Sequence, residues 1–247
     1  MSPAADSAGV PWAGRTLTSQ PFAGDDGTTD AALLAALTTW SGGGDFAAVV
    51  RAWAPTRVMV PIVAVLGEGD DVRAAAEAGQ GDKSADMALV TITGPDGRRI
   101  LPAFSSTAAL ATWNASARPV PVEAARAAQA AVLEGCEVVV IDPAGPIPCL
   151  LPRPAVWAVA KGRDWLPPAL DDEVLAAVAT IASAIPELAA HRCEADGVAG
   201  LNVVLGLPPG LDQEQVAQIA GRMSQLLAAD ELVAERADAL RLTVRTV

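Results

Sequence analysis

Tyrosine is absent from this 247-residue chain, histidine occurs once and aromatics make up 4% of the residues. With six Trp and three Phe to serve the whole length, each aromatic carries a large share of its local packing. The single histidine, His191, is the only base a Ser/His/Asp arrangement could use, and no Gly-x-Ser-x-Gly elbow accompanies it. Basic residues are also scarce, at 17 Lys and Arg against 29 Asp and Glu, a net charge of −12. That balance excludes the basic footprint of a nucleic-acid binder and disfavours an anionic membrane surface. No apolar run approaches the roughly 18 residues of a membrane helix. The longest, Val58–Leu66, suits a strand. No charged region followed by an apolar segment opens the chain, and Cys136, Cys149 and Cys193 are odd in number and far apart. A cytoplasmic protein with reduced thiols is expected.

What is present is ample apolar content, 51%, much of it alanine. The length favours two domains of roughly 100–150 residues each. Residues 1–29 are rich in Gly, Ser, Thr, Asp and Pro and read as an extended or disordered arm. Asp30 or Thr29 can cap a helix over Ala31–Trp40, and Asp45 a second over Phe46–Trp53. Pro61 cannot donate to a ladder, so the strand Val58–Leu66 is expected at an edge or with a bulge. Residues 67–85 read as a solvated loop.

The organising stretch runs from Met87 to Gly145. Met87–Thr93 alternates as a strand, Gly94-Pro95-Asp96-Gly97 supplies turn chemistry, and Arg99–Phe104 returns, predicting a hairpin. Ser105 or Ser106 can cap a short helix reaching about Asn114. Arg118-Pro119-Val120-Pro121 reads as an extended bridge. A helix over Val122–Leu133, with Ala125, Ala128, Val132 and Leu133 facing the sheet, stops at Gly135. A buried strand, Val138–Ile141, runs into Asp142-Pro143-Ala144-Gly145.

Six pieces in order carry a resemblance. They are Lys83-Ser84-x-Asp86-Met87-Ala88-Leu89-Val90, Gly94-Pro95-Asp96-Gly97-Arg98 and Leu101-Pro102-x-Phe104-Ser105-Ser106, followed by Ala117–Val122, Ala131-Val132-x-Glu134-Gly135 and Val139–Pro146. This array resembles the N-terminal domain of the SseB family, named for enhanced serine sensitivity. Some members carry a second, C-terminal family domain, and residues 171–247 look like one. The resemblance implies a fold and a family, and it brings no catalytic residues with it.

Beyond Pro167-Pro168, the pattern reads as helix, two strands, helix and closing strand, an α-β-β-α-β layer. The fold class expected is α+β, a mixed sheet covered by helices at 30–161, a linker at 162–170 and a smaller layer at 171–247. The last segment holds twelve acidic and five basic residues, a net of −7, so any electrostatic partner should present a basic surface.

Candidate chemistry is thin. Gly67-Glu68-Gly69-Asp70-Asp71-Val72 begins like a dinucleotide fingerprint, but two aspartates stand where pyrophosphate would approach, and an acidic loop is the simpler reading. His191 and Cys193 lack the two further ligands a metal needs. No cofactor, metal or catalytic residue is expected. One edge stands out. If the strands ending at Ala103 and Ile141 are parallel neighbours, Phe104, Ser105, Ser106 and Asp142 share the carboxyl edge of the sheet, with Arg118 reaching in from the bridge. The bland alternative is that Ser106 caps its helix and Asp142 starts a turn. Two functions follow: a non-enzymatic interaction or regulatory protein with a protein partner, or a small-molecule or amino-acid binder or enzyme using that edge.

Overall fold

Strand β1 (Arg57–Ala64) is the hinge of the first half of the chain in the computed structural model, which describes Phe22, residues 24–64 and residues 87–247. Most of the N-terminal arm, the Gly67 motif, the loop reading for 67–85 and the Lys83-Ser84 piece lie outside the described residues. Two helices lead into β1. Asp30 accepts from the amides of Ala32 and Leu33 to start α1 (Ala31–Ser41), and Asp45 accepts from Ala47 to start α2 (Phe46–Trp53). Leu33, Leu37, Val49 and Trp53 point from these helices into the core.

The strand β1 is central, not an edge, and carries no bulge at Pro61. It pairs antiparallel with β2 (Met87–Leu89) on one side and β5 (Arg118–Glu123) on the other. Register explains the tolerance. Met59 exchanges both backbone hydrogen bonds with Phe104, so Met59, and Pro61 two residues on, face away from β5. Pro61 then sits between that bridge and the β2 pairing, where no ladder bond requires its missing donor. The same alternation turns the nitrogens of Pro119 and Pro121 to the outer side of β5. The Arg118–Pro121 stretch is therefore a strand, with its prolines at the free edge.

The expected hairpin is shorter than its alternation suggests. Met87–Leu89 pairs with β1, and only β3 (Ile92–Thr93) pairs with β4 (Arg99–Ala103). A period of two records which face a residue occupies, not which strand lies beside it. From β4 the second sheet continues as β3-β4-β6-β7, with β6 (Val138–Ile141) parallel to β4 and β7 (Cys149–Leu151) antiparallel to β6. The crossover passes through α3 (Thr107–Trp113), β5 and α4 (Ala124–Leu133). The face α4 buries is Ala124, Ala127, Ala128 and Ala131, while Leu133 is 87% exposed. An all-alanine face lets the helix sit close to its neighbours, which rotates Leu133 away from the sheet. Helix α5 (Arg153–Ala160) packs on α4, and Gln129 donates to its last carbonyl at 3.0 Å.

Residues 171–247 have their own apolar cluster. Asp171 starts α6 (Asp172–Ser183), and Asp212 with Gln215 forms a capping box for α7 (Gln213–Ala229). The sheet runs β10-β9-β8: β8 (Ala190–Asp196) is antiparallel and β10 (Ala239–Thr246) parallel to β9 (Gly200–Leu207). A short helix that the sequence pattern did not announce, α8 (Glu231–Arg236), is capped by Asp230. Mixed sheets and helices in this arrangement are α+β.

The chain between the two clusters is anchored. Trp165 is buried, with its ring edge-on to Phe46 at 5.5 Å. Lys161 pairs with Glu235 at 2.7 Å and Arg163 joins the same carboxylate. Arg153 donates to the carbonyls of Ala234 and Ala237, capping the end of α8. Part of the negative charge of 171–247 is thus met inside the chain.

Gly97 closes the β3–β4 turn at φ +83°, and a Cβ there would meet nothing within 4 Å. Gly97→Val therefore tests backbone strain alone. It should destabilise by about 1–3 kcal/mol in urea unfolding, and an unchanged midpoint would mean that the turn relaxes.

Candidate functional site: the carboxyl edge of β4 and β6

The parallel register sets Ala103 opposite Ile141, so Phe104 and Asp142 leave the sheet side by side. The Asp142 amide continues the ladder by donating to the Ala103 carbonyl at 2.9 Å. The backbone of Asp142 then turns left-handed at φ 49°, a region that aspartate tolerates better than most residues. The Gly145 amide closes the turn onto the Asp142 carbonyl at 2.8 Å. A side chain at Gly145 would stand 2.9 Å from the Asp142 Cβ, which explains the glycine. This conformation folds the Asp142 carboxyl group back over the end of β4. Its Oδ1 accepts from the Ser105 amide at 2.8 Å and its Oδ2 from the Ser105 hydroxyl at 2.6 Å. Because the Ser105 hydroxyl donates to Asp142, its 2.8 Å contact with Thr29 must be donated by Thr29. Ser105 is 3% exposed and Asp142 8%, so the cluster sits beneath the surface.

Arg57 completes the edge, at the start of β1. Its Nη1 donates to the Ser105 carbonyl at 2.9 Å, and its Nη2 to the Asp25 carboxylate and the Thr28 carbonyl, each at 2.7 Å. The Arg57 Nε lies against the same Asp25 carboxylate. The bond from Arg57 holds the Asp25 carboxyl below the ordinary carboxylate range, burial opposing it.

Of the residues expected at this edge, Ser105, Ser106 and Asp142 line one cleft of about 280 Å³. Its remaining walls are Thr29, Leu34, Leu37, Ala108, Ala109, Thr112, Ala144, Gly145, Pro146 and Ile147. Ser106 also caps α3, its hydroxyl accepting from the Ala109 amide at 3.0 Å. Phe104 is buried instead against Met59, Leu110 and Trp113, anchoring the strand end from another side. Arg118 is not at this edge. It is exposed and pairs with Ile62, five residues along β1 from Arg57, about 16 Å of strand. The cation at the edge is Arg57, and Thr29 is the second residue missed. The available signal was an arginine opening the apolar run Val58-Met59-Val60.

Burial pushes the Cys149 thiol up to about 12 and raises those of Cys136 and Cys193, so all three are protonated at neutral pH. Among the described residues, no group of three His, Cys, Asp or Glu is placed to hold a metal. No helix among them is long and apolar enough to cross a membrane.

Fold and edge define a mixed α+β protein whose first half presents a hydroxyl–carboxyl clasp at the ends of two parallel strands. The family model "SseB protein N-terminal domain" matches residues 31–158, more than half of the chain. The chain belongs to the SseB family. No curated protein and no solved structure matches it.

The roles of Asp142 and Arg118 separate by stability. Asp142→Ala orphans the Ser105 amide, leaves the Ser105 hydroxyl only its Thr29 partner, and should cost about 2–4 kcal/mol. Arg118→Ala, at the exposed sheet edge, should stay within about 0.5 kcal/mol of wild type. Thermal or urea unfolding of both variants checks this, and equal losses would contradict the placement of Arg118.

Proposed function

We propose that this SseB-family chain is a non-enzymatic interaction or regulatory module working in the cytoplasm. Its two domains span residues 30–161 and 171–247 and join through 162–170. The observation that carries the reading is the way the polar groups of the edge are spent on one another. Asp142 gives both oxygens to Ser105, the Ser105 hydroxyl is further engaged by Thr29, and Arg57 is taken up by Ser105, Thr28 and Asp25. A group that shapes a wall in this way is not poised to attack or to exchange a proton. The cleft it shapes is walled mostly by apolar residues, and its 280 Å³ suits a single apolar side chain of a partner protein. The free thiols fit a reducing compartment. Asp172, Glu214 and Glu231, exposed at the starts of α6, α7 and α8, leave negative charge for a partner with a basic surface.

A second reading, a small-molecule or amino-acid-binding protein, is favoured by the place of the cleft. It opens at the carboxyl ends of parallel strands, where α/β proteins bind their ligands. Ala108 is exposed on the cleft wall, so Ala108→Trp fills the space without touching a core. The test is copurification from native lysate with mass spectrometry of proteins and retained small molecules. The proposed function predicts a protein captured by wild type and lost with Ala108→Trp, at a melting temperature within about 2 °C of wild type. A retained small molecule lost in the same way would support the second reading. Equal capture by both forms would remove the cleft from the mechanism.

A further inference from the structure

The segment leading into α1 is a strap laid across the carboxyl edge. Beyond its own turn, it contacts Arg57, Ser105 and Thr107 at that edge. The Arg57 Nη2 donates to the Asp25 carboxylate, whose second oxygen stands against the Nε side of the same guanidinium as an ion pair. The Gly27 carbonyl accepts from the Thr107 amide at 3.0 Å, and Gly27, at φ +78°, packs on the Thr107 side chain. The Thr28 carbonyl takes a second Arg57 donor, and the Thr29 hydroxyl occupies Ser105. The receiving groups are held in place independently of the strap. Arg57 Nη1 is fixed by the Ser105 carbonyl, and Ser105 by Asp142.

We propose that residues 24–29 act as an internal ligand covering a carboxylate-binding surface made by Arg57, Ser105 and the Thr107 amide. Its occupant in trans is an acidic segment of a partner protein, an aspartate followed by a tight turn and a hydroxyl residue. The surface shares Ser105 with the cleft, and Thr29 of the strap is part of the cleft wall. The strap suppresses such a partner by proximity, since a tethered segment competes at an effective concentration on the order of millimolar. A partner gains access by offering the same contacts with additional ones of its own, so the strap sets a threshold for binding.

The probe is a fluorescent peptide of residues Gly24–Asp30, titrated against the full chain and against full-chain Asp25→Ala, which removes the carboxylate contacts to Arg57 and the Gly27 amide, and Thr29→Val, which removes the Ser105 contact. The expected result is at least tenfold tighter binding of the peptide to either variant than to wild type, and loss of that gain when the peptide itself carries Asp25→Ala. Equal binding to wild type and variants would overturn the proposal, as would binding indifferent to the peptide carboxylate. If Asp25→Ala does not fold, Thr29→Val decides alone. Failure of both to fold would overturn it, by making the strap a fixed part of the body.

Discussion

The Asp142 side chain folded back onto Ser105 is the constraint on which the carboxyl edge depends. Strands β4 and β6 run parallel and must diverge where the chain leaves the sheet, one toward α3 and the other into the Asp142–Gly145 turn. Two hydrogen bonds accepted by one carboxyl group tie the diverging ends. Thr29 and Arg57 build outward from the tied Ser105, and the cleft takes its floor from the same residues. A left-handed backbone at Asp142 costs energy that such a tie offsets.

Much of this was legible beforehand, for reasons that particular residues make clear. Caps are local: Asp30, Asp45, Asp171 and Asp212 each satisfy amides within three residues, so helix starts could be read from one short window. The parallel pairing of β4 and β6 entered only as a condition, which the structure meets. The meeting of Ser105 and Asp142 followed from that pairing. The order of elements and the α+β class came from the same periodicities.

What escaped the sequence depends on register and distance. Arg57 meets Asp25 and Ser105 across 32 and 48 residues, and nothing local marks such a pairing. Arg118 was placed by the reach of its side chain, whereas the antiparallel ladder fixes it opposite Ile62. The two prolines that follow it, Pro119 and Pro121, hid a strand, because they fall at alternate positions whose nitrogens face outward. Of the α4 face expected, Ala128 is buried and Ala125 and Val132 pack partly against the core, while Leu133 is exposed. The short helix α8 is held by tertiary partners, with Glu235 paired to Lys161 and Arg236 to Asp171, so its pattern alone was too weak to read.

The claim that one carboxyl group couples two strand ends is tested most directly by a double-mutant cycle on Ser105→Ala and Asp142→Ala in urea unfolding. Direct coupling predicts that the double variant loses less stability than the two single losses combined, by about 1–2 kcal/mol. Additivity within about 0.3 kcal/mol would contradict it, showing that Ser105 and Asp142 stabilise the edge independently.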